Sequence, residues 1–296
     1  MKSLIVNENG GLEVREIPVP EINSKQALVK MICCGICNGT DAKLIHRKFK
    51  GFEEDAYPLM LGHEGVGEVV KVGEEVTGYH VGDKVLLPFV DADEKLYPGL
   101  GSAWGAFSEY GVVNDYRAFG NGTAPECAYG QTILPEDIDP VDASMIITLR
   151  EVLSSIKRFG MKANESVAVF GCGPVGLTFI RFMSLLGVHP IIAFDIIPEK
   201  LEEAKRAGAD YLNMQLDWSK APYNWTLQFQ QFPSKKEEGE ATNQIIAWLR
   251  CGAITLKDYI SDYFRFEDVL EAFEKLEKKE GNRKEGNRYF LKGDFI

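Results

Sequence analysis

The stretch GHEGVGEVVKVGEEV at residues 62–76 does most to decide the fold of this chain. Glycines recur between a His–Glu pair and β-branched residues, which is typical of short strands joined by tight turns. Apolar runs such as ALVKMI at 27–32, broken by Gly, Pro and Asn, continue from residue 1 to about residue 120. The stretch VTGYHVGDKV at 76–85 predicts a turn between two strands. The first part of the chain is therefore predicted to be a small β-barrel.

The periodicity changes after Asp142. Helical spacing over 145–159 predicts a helix, and a β-α-β unit follows it. That unit has a strand at 166–170, a helix at 175–186 and a second strand at 191–194. Both strands are continuously apolar, which predicts a parallel sheet covered on both faces.

Further elements are predicted beyond this unit. Pro198 suits the first turn of a helix that ends near Gly208. The others are a strand-like segment at 225–232, helices at 235–251 and 265–279, and a charged loop at 278–288.

Composition excludes several classes of protein. The length of 296 residues allows two domains, and the net charge of −11 lacks the basic footprint of a nucleic-acid-binding protein. No N-terminal signal is recognised, and no run approaches the roughly 20 apolar residues of a membrane span. We therefore expect a cytoplasmic protein that binds neither nucleic acid nor membrane.

The cysteines and histidines bear on redox and metal chemistry. Six cysteines lack the dense, even spacing of a disulfide framework, so reduced thiols in the cytosol are expected. There are only four histidines, and His63 stands out because it lies in a glycine-rich turn.

Cys37 and His63 lie in separate glycine-flanked loops that can fold tightly around a small ion. Zinc accepts a thiolate, an imidazole and one further ligand, and leaves its fourth position for substrate. Glu151 is the candidate third ligand because it interrupts an apolar helical stretch, where an unpaired carboxylate would be costly to bury. Alternatively, Glu151 is a surface position on that helix.

The cysteines near residue 37 allow other interpretations. Cys34 and Cys37 have the C-x-x-C form of a redox pair or of half a structural zinc site. The structural site lacks a second cysteine pair, and the redox pair lacks a β-α-β setting. Cys33 and Cys34 are most simply explained as small apolar strand residues.

A dinucleotide fingerprint, GCGPVG at 171–176, follows a predicted strand and opens a predicted helix. Its first glycine allows a tight turn, its second lets a pyrophosphate approach, and its third permits close helix–strand packing. The alternative is a glycine turn used only for packing.

Asp195 ends the next strand, where its carboxylate would bind the ribose hydroxyls of adenosine. It would repel a 2′-phosphate, and Ile196 and Ile197 supply no arginine, so NAD is predicted over NADP. The candidate cofactor-binding residues are Gly171, Gly173, Pro174, Val175, Gly176 and Asp195.

These motifs make the chain resemble the zinc-dependent medium-chain alcohol and polyol dehydrogenases. Their Gly-His-Glu signature is met at 62–76, and a Gly-Ile-Cys…Thr-Asp motif is similar at 35–41, with one extra residue after Cys37. The resemblance covers nearly the whole chain and includes FRFEDVLEAF at 264–273.

The resemblance implies an α/β plus β fold. Residues 1–150 and 253–296 would form a GroES-like β-barrel catalytic domain, interrupted by a Rossmann domain at 151–252. Cys37, His63 and Glu151 would be the ligands of a single catalytic zinc, a glutamate in third place being a feature of the sorbitol-type branch.

The resemblance also suggests roles around the zinc. Glu64 would support the ligands or exchange with them, Asp41 would orient His63, and Thr40 would pass the alcohol proton outward. No structural zinc is expected, because residues 88–110 hold no cysteine.

The Rossmann domain is expected to be shortened after about residue 210. A complete sheet needs further β-α-β crossovers of roughly 30 residues each. The segment between Tyr211 and the predicted strand near Trp225 has no room for one. The half of the site that binds adenosine is predicted to be intact, and the half that binds nicotinamide to be missing.

The predicted function is therefore zinc-dependent hydride transfer between NAD and a secondary alcohol or polyol, with Phe89, Trp104 and Phe107 near the substrate. The resemblance makes a homodimer or homotetramer plausible. One rival is a catalytically impaired, zinc-binding remnant of such an enzyme. Another is a thiol-based redox or metal-storage protein that uses Cys33, Cys34 and Cys37.

Overall fold

The computed structural model describes residues 1–120, 124–214, 233–278 and 289–292. The chain divides into two compact units. One comprises Met1–Thr148 and the described part of Thr255–Ile296, and the other the described part of Leu149–Ile254. The boundaries predicted from the sequence are 150/151 and 252/253.

The described helices and strands follow one another in a β-rich part, a β-α-β part and a short C-terminal part. Up to residue 159 they are β1 (Lys2–Val6), β2 (Leu12–Glu16), β3 (Gln26–Ile36), α1 (Asp41–Ile45), β4 (Leu59–Met60), β5 (Gly65–Val72), β6 (Lys84–Leu86), β7 (Gly101–Ser102), β8 (Tyr110–Asn114) and α2 (Ser144–Phe159). After it they are β9 (Val167–Phe170), α3 (Pro174–Leu185), β10 (Ile191–Phe194), α4 (Pro198–Ala207), β11 (Tyr211–Asn213), α5 (Lys235–Arg250), β12 (Asp262–Phe264), α6 (Val269–Lys278) and β13 (Tyr289–Lys292).

The first unit is built on β3, its longest described strand. β3 pairs antiparallel with β5, β8 and β13, and a second sheet has the order β2-β1-β4-β7. Residues 26–32 of β3 alternate in burial, as a strand with one face on a core requires, and its last four residues are all buried. Cys33 and Cys34 lie in this strand and are buried, which agrees with their interpretation as small apolar residues.

An apolar core lies between these elements in the first unit. It joins Leu4 of β1, Leu59 of β4 and Phe107 to Phe273 of α6. The rings of Phe107 and Phe273 meet edge-on with centroids 5.8 Å apart. Phe107 is fully buried here and Phe89 is 6% exposed, so both serve the packing of the fold more than a substrate surface.

The second unit holds a parallel sheet of order β11-β10-β9. The predicted β-α-β unit is confirmed, and the described chain adds β11 after α4. Right-handed crossovers place consecutive helices on the same face when the strand order runs in one direction. α3 and α4 accordingly pack on neighbouring pairs of these strands.

The expectation that both faces of this sheet are covered is wrong at β9. Ala168 and Phe170 are exposed there, with 58% of Phe170 accessible, because α3 and α4 share one face. The strand predicted at 225–232 and the loop predicted at 278–288 lie outside the described residues, apart from the last residue of α6. No helix within the described ranges is long and apolar enough to cross a membrane.

Candidate metal centre and cofactor loop

The Cys37 loop is a single helical turn at the entrance to α1. The carbonyl oxygen of Cys37 accepts hydrogen bonds from the backbone N–H groups of Thr40, at 3.2 Å, and of Asp41, at 2.8 Å. This turn accommodates the extra residue between Cys37 and Thr40 and ends with Asp41 as the first residue of α1. Thr40 is half-buried, three residues after the thiol.

The His63 loop depends on the glycine before it. Gly62 has a φ of +105°, and a Cβ atom there would lie 2.5 Å from the backbone nitrogen of Phe107. Only glycine tolerates both constraints. The chain therefore turns tightly between β4 and β5 and presents His63 and Glu64 at that point.

Cys37, His63 and Glu64 converge. One ligand atom from each of these side chains lies within 4.8 Å of the others. Among the described residues, this is the one group of at least three His, Cys, Asp or Glu side chains that does so. A thiolate, an imidazole and a carboxylate form a donor set that suits zinc.

Asp41 contacts two of these candidate ligands, Cys37 and His63. Its side chain is fully buried. Its Oδ2 accepts a hydrogen bond from the backbone N–H of Cys37 at 2.8 Å, and its Oδ1 lies 3.2 Å from Nδ1 of His63. A carboxylate beside Nδ1 leaves the other ring nitrogen, Nε2, available to a metal, as in carboxylate–histidine–metal arrangements. The predicted orienting role of Asp41 thus has a geometry that supports it.

The same contacts set the protonation of the imidazole. Burial alone would lower the pKa of His63, but the Asp41 carboxylate and the Cys37 thiol outweigh it and hold that pKa well above its usual range. The imidazole must lose this proton when it binds a metal. Proton release would therefore accompany metal uptake at neutral pH.

An aromatic wall adjoins His63. The rings of His63 and Trp104 have centroids 5.3 Å apart, and Trp104 contacts Phe49 and Phe52 with centroids 6.2 and 6.0 Å away. Trp104 has a φ of +69°, a conformation that is rare for a bulky residue and tends to occur at functional sites. Of the three aromatic residues suggested from sequence to lie near the substrate, Trp104 is the one beside a candidate ligand.

Glu151, the third ligand suggested by the sequence, lies on α2 in the second unit and is half-buried. Glu64 takes the third place in the cluster within the first unit. The family resemblance implies only a supporting or exchanging role for Glu64, because its position directly after His63 makes it part of a signature instead of an independent ligand.

Thr148 is a contact that the sequence analysis missed. Its hydroxyl donates a hydrogen bond to Oε1 of Glu64, and both side chains are buried. The sequence feature that could have indicated this contact is the lone hydroxyl in the apolar stretch MIITL at 145–149, since a buried polar group needs a partner.

The thiols of Cys33 and Cys34 are poorly suited to redox chemistry. Burial raises the pKa of Cys33 to about 12 and also raises that of Cys34 well above its usual range. The thiolate is the reactive form, so both residues are inert near neutral pH. This weakens the thiol-based alternative.

In the second unit, the glycine loop joins β9 to α3. Gly171 has a φ of +90°, and Gly173 caps α3, with Pro174 and Val175 in its first turn. A Cβ atom at Gly176 would lie 1.9 Å from the carbonyl oxygen of Gly171. The first and third glycines are therefore required by the fold itself.

Gly173 differs from its neighbours. Its φ of −71° is open to any residue, and a Cβ atom there would have no heavy atom within 4 Å. Packing does not explain this glycine. Close approach of a ligand to the backbone at a helix N-terminus does, which fits the pyrophosphate of a dinucleotide.

Asp195 is held at the end of β10 by the loop. Its Oδ2 accepts a hydrogen bond from the N–H of Cys172 at 2.7 Å, and its Oδ1 accepts one from the N–H of Ile197 at 2.9 Å. An open recess of about 390 Å³ adjoins it, lined by Phe170, Gly171, Phe194, Asp195, Ile196 and Met214. The recess is apolar apart from the carboxylate, so it suits a nucleoside.

Comparison with known proteins finds relatives among the alcohol and polyol dehydrogenases. Residues 23–120 match the family model of the alcohol dehydrogenase GroES-like domain. An alcohol dehydrogenase of Geobacillus stearothermophilus is 31% identical over 228 residues, which cover 71% of this chain and 62% of that protein. A sorbitol dehydrogenase of Bombyx mori is 29% identical over 207 residues, which cover 67% of this chain and 58% of the relative. The chain thus spans about three fifths of the length of these relatives.

Solved structures show the same fold. A short-chain alcohol dehydrogenase, RspB, of Escherichia coli CFT073 in complex with NADH aligns over 99% of each chain with a TM-score of 0.71 and 22% identity. An alcohol dehydrogenase of Thermus sp. ATN1 aligns over 99% of this chain and all of its own, with a TM-score of 0.71 and 21% identity. The GroES-like domain, the convergent ligands and these similarities together support the zinc-type medium-chain alcohol and polyol dehydrogenase family for this chain.

Proposed function

We propose that this protein is a zinc-dependent oxidoreductase that transfers a hydride between NAD and a secondary alcohol or polyol. The observation that carries the proposal is the convergence of Cys37, His63 and Glu64 within 4.8 Å in a GroES-like domain. Relatives named sorbitol dehydrogenase and (R,R)-butanediol dehydrogenase favour a substrate of this class.

Cys37 and His63 would hold the metal, with an acidic side chain as third ligand. Glu151 remains the candidate from the sequence, and Glu64 is the candidate from the ligand cluster. When bound, zinc supplies a Lewis acid that lowers the pKa of the substrate hydroxyl. Asp41 keeps His63 oriented, and Thr40 would accept the alcohol proton and pass it toward solvent. Trp104 would exclude water from one side of the site.

The glycine loop would bind the cofactor. The N-terminus of α3 would face the pyrophosphate, and the open space at Gly173 would allow it to approach. Asp195 would accept hydrogen bonds from ribose hydroxyls, and its charge favours NAD over NADP. When bound, the nicotinamide ring supplies the hydride acceptor. The recess beside Phe170 would hold the adenine.

One zinc per chain, a homodimer or homotetramer and a cytoplasmic location complete the proposal. The six cysteines are all free, which suits a reducing compartment.

A combined measurement tests the function. Zinc content, NADH fluorescence titration and NAD reduction with a panel of polyols and secondary alcohols would be recorded on one preparation. The proposal expects about one zinc per chain, saturable NADH binding and turnover that is lost on chelation. Zinc without NADH binding or turnover would identify the impaired remnant, and the absence of stoichiometric zinc would contradict the proposal.

A further inference from the structure

We propose that Thr148 is a positioning residue of the metal centre, whose hydroxyl holds the carboxylate of Glu64 so that Glu64 serves as the third ligand. The inference rests on the proposed function, because it concerns the same metal site. It assigns a role to a residue that no sequence motif marks.

The contact joins two distant parts of the first unit. The Thr148 hydroxyl on α2 donates to Oε1 of Glu64, 84 residues earlier in the chain. The two residues are 6% and 3% exposed, respectively. A carboxylate at this depth needs compensating contacts, and a hydrogen bond to a charged acceptor is among the stronger ones in proteins.

The hydroxyl controls the orientation of the ligand. A carboxylate is planar, so fixing Oε1 also fixes the direction of Oε2. Asp41 does the same for the other two ligands, through the backbone N–H of Cys37 at 2.8 Å and Nδ1 of His63 at 3.2 Å. Each member of the cluster therefore has its own positioning contact, which is the arrangement that tunes protein metal sites.

Packing alone does not explain why residue 148 carries a hydroxyl. The residues on either side of it, Ile147 and Leu149, are 4% and 0% exposed, so this turn of α2 is buried all round. A helical threonine commonly donates to the carbonyl four residues earlier. Here the hydroxyl donates to Glu64 instead, which is what a role at the ligand cluster requires.

The inference ranks the two candidate third ligands. If Thr148 positions a working ligand, Glu64→Gln costs more zinc affinity than Glu151→Gln. Glu151→Gln changes the same functional group to the same amide, so it is the matched comparison.

The experiment measures zinc affinity by competition with a chromophoric chelator, together with the visible absorption spectrum of the cobalt-substituted protein. Thr148→Val keeps the shape of the side chain and removes the hydroxyl. We expect it to lower zinc affinity about 10- to 100-fold, the usual effect of removing an outer-shell partner, and to shift the cobalt d–d bands. Thr148→Ser should restore both properties. Ser144→Ala, which removes another buried hydroxyl of α2, should change neither.

A double-mutant cycle links the effect to Glu64. Combining Thr148→Val with Glu64→Gln should lower affinity no further than Glu64→Gln alone, because the two residues act through one contact. Thr148→Ala removes the same hydroxyl without adding volume and should give the same loss, so a misfit of valine does not decide the result.

Two outcomes would overturn the inference. In the first, the wild-type protein binds zinc, and the variants without the Thr148 hydroxyl have the same zinc affinity and the same cobalt bands. This result would refute the role of Thr148 and leave the proposed function intact. In the second, the wild-type protein takes up no zinc, and both this inference and the proposed function fail.

Discussion

The metal centre and the cofactor loop are built in opposite ways. In the first unit, three side chains from two separate loops converge, and buried partners such as Asp41 and Thr148 hold them in place. In the second unit, the site is formed by the backbone of the loop, and its glycines matter because they have no Cβ atom. A site of the first kind should fail through loss of a ligand, and one of the second kind through addition of a single methyl group.

The largest effect is expected at the metal ligands. Cys37→Ser and His63→Ala should each lower zinc affinity by more than about 100-fold, beyond the loss typical of an outer-shell partner. The reason is that each change removes one of three donor atoms, and Cys37→Ser also removes the charge of the thiolate. Zinc content after dialysis measures this directly.

Cys127→Ser is the matched control, because Cys127 is a free cysteine of the same unit outside the cluster. Full zinc occupancy in either ligand variant would show that the metal is bound elsewhere.

The cofactor loop offers a contrast between two glycines. Gly176→Ala should lower the free energy of unfolding of the protein by about 3 kcal/mol or more, because the new Cβ would lie 1.9 Å from the carbonyl oxygen of Gly171. Gly173→Ala should lower stability by no more than about 1 kcal/mol, the usual cost of alanine at a helix N-cap, since its Cβ would meet nothing within 4 Å. It should nevertheless weaken NADH binding about tenfold or more, which is about 1.4 kcal/mol.

Chemical denaturation and NADH titration of both variants separate the two effects. Unchanged NADH affinity in a folded Gly173→Ala protein would remove the argument that a ligand explains this glycine.

The pH dependence sharpens the contrast further, because the metal centre pairs the imidazole of His63 with the fully buried carboxylate of Asp41. The raised pKa of His63 means that zinc must displace its proton at neutral pH. Apparent zinc affinity should therefore fall about tenfold per pH unit for each proton displaced, as pH drops below that pKa. Calorimetry in buffers of different ionisation enthalpy counts the protons released on zinc binding. The Asp41→Asn variant should release fewer protons than the wild-type protein near pH 7.

Stability of the metal-free protein should run the other way. A group whose pKa is raised on folding stabilises the fold fully below its unfolded pKa of about 6.5, and this contribution is lost as pH rises through the raised value. Identical proton release in the wild type and Asp41→Asn would disprove the coupling.

The smallest effect concerns cofactor choice. Asp195→Ala should weaken NAD binding several-fold more than NADP binding, because it removes both the ribose acceptor and the charge that repels a 2′-phosphate. Asp195→Asn is the control: it removes the charge but keeps an oxygen that can accept from the N–H of Ile197. Dissociation constants for both cofactors would be compared, and an unaltered preference would count against the role of Asp195.

Much of this architecture was readable from sequence, because local patterns set it. The glycine loop, α3 and Asp195 lie within one β-α-β unit, where the strand period and the fingerprint act over about 30 residues. Cys37 and His63 were also predicted, each from its own glycine-flanked loop. The family resemblance then supplied the relation between them.

The acidic residue that completes the cluster was harder to predict for a physical reason. Thr148 and Glu64 are 84 residues apart, and their contact arises only when α2 packs against the loop before β5. Neither residue type nor spacing reveals such a pairing. The exposure of Phe170 was not predicted either. An apolar strand in a sheet with helices on one face has the same sequence pattern as a strand in a sheet that is covered on both faces.

The most direct test of the central claim is X-ray absorption at the zinc edge of the purified protein. The account predicts about one zinc per chain, with a single sulfur ligand near 2.3 Å and the remaining ligands nitrogen or oxygen near 2.0–2.2 Å. A first coordination shell with no sulfur, or with two or more, would contradict it.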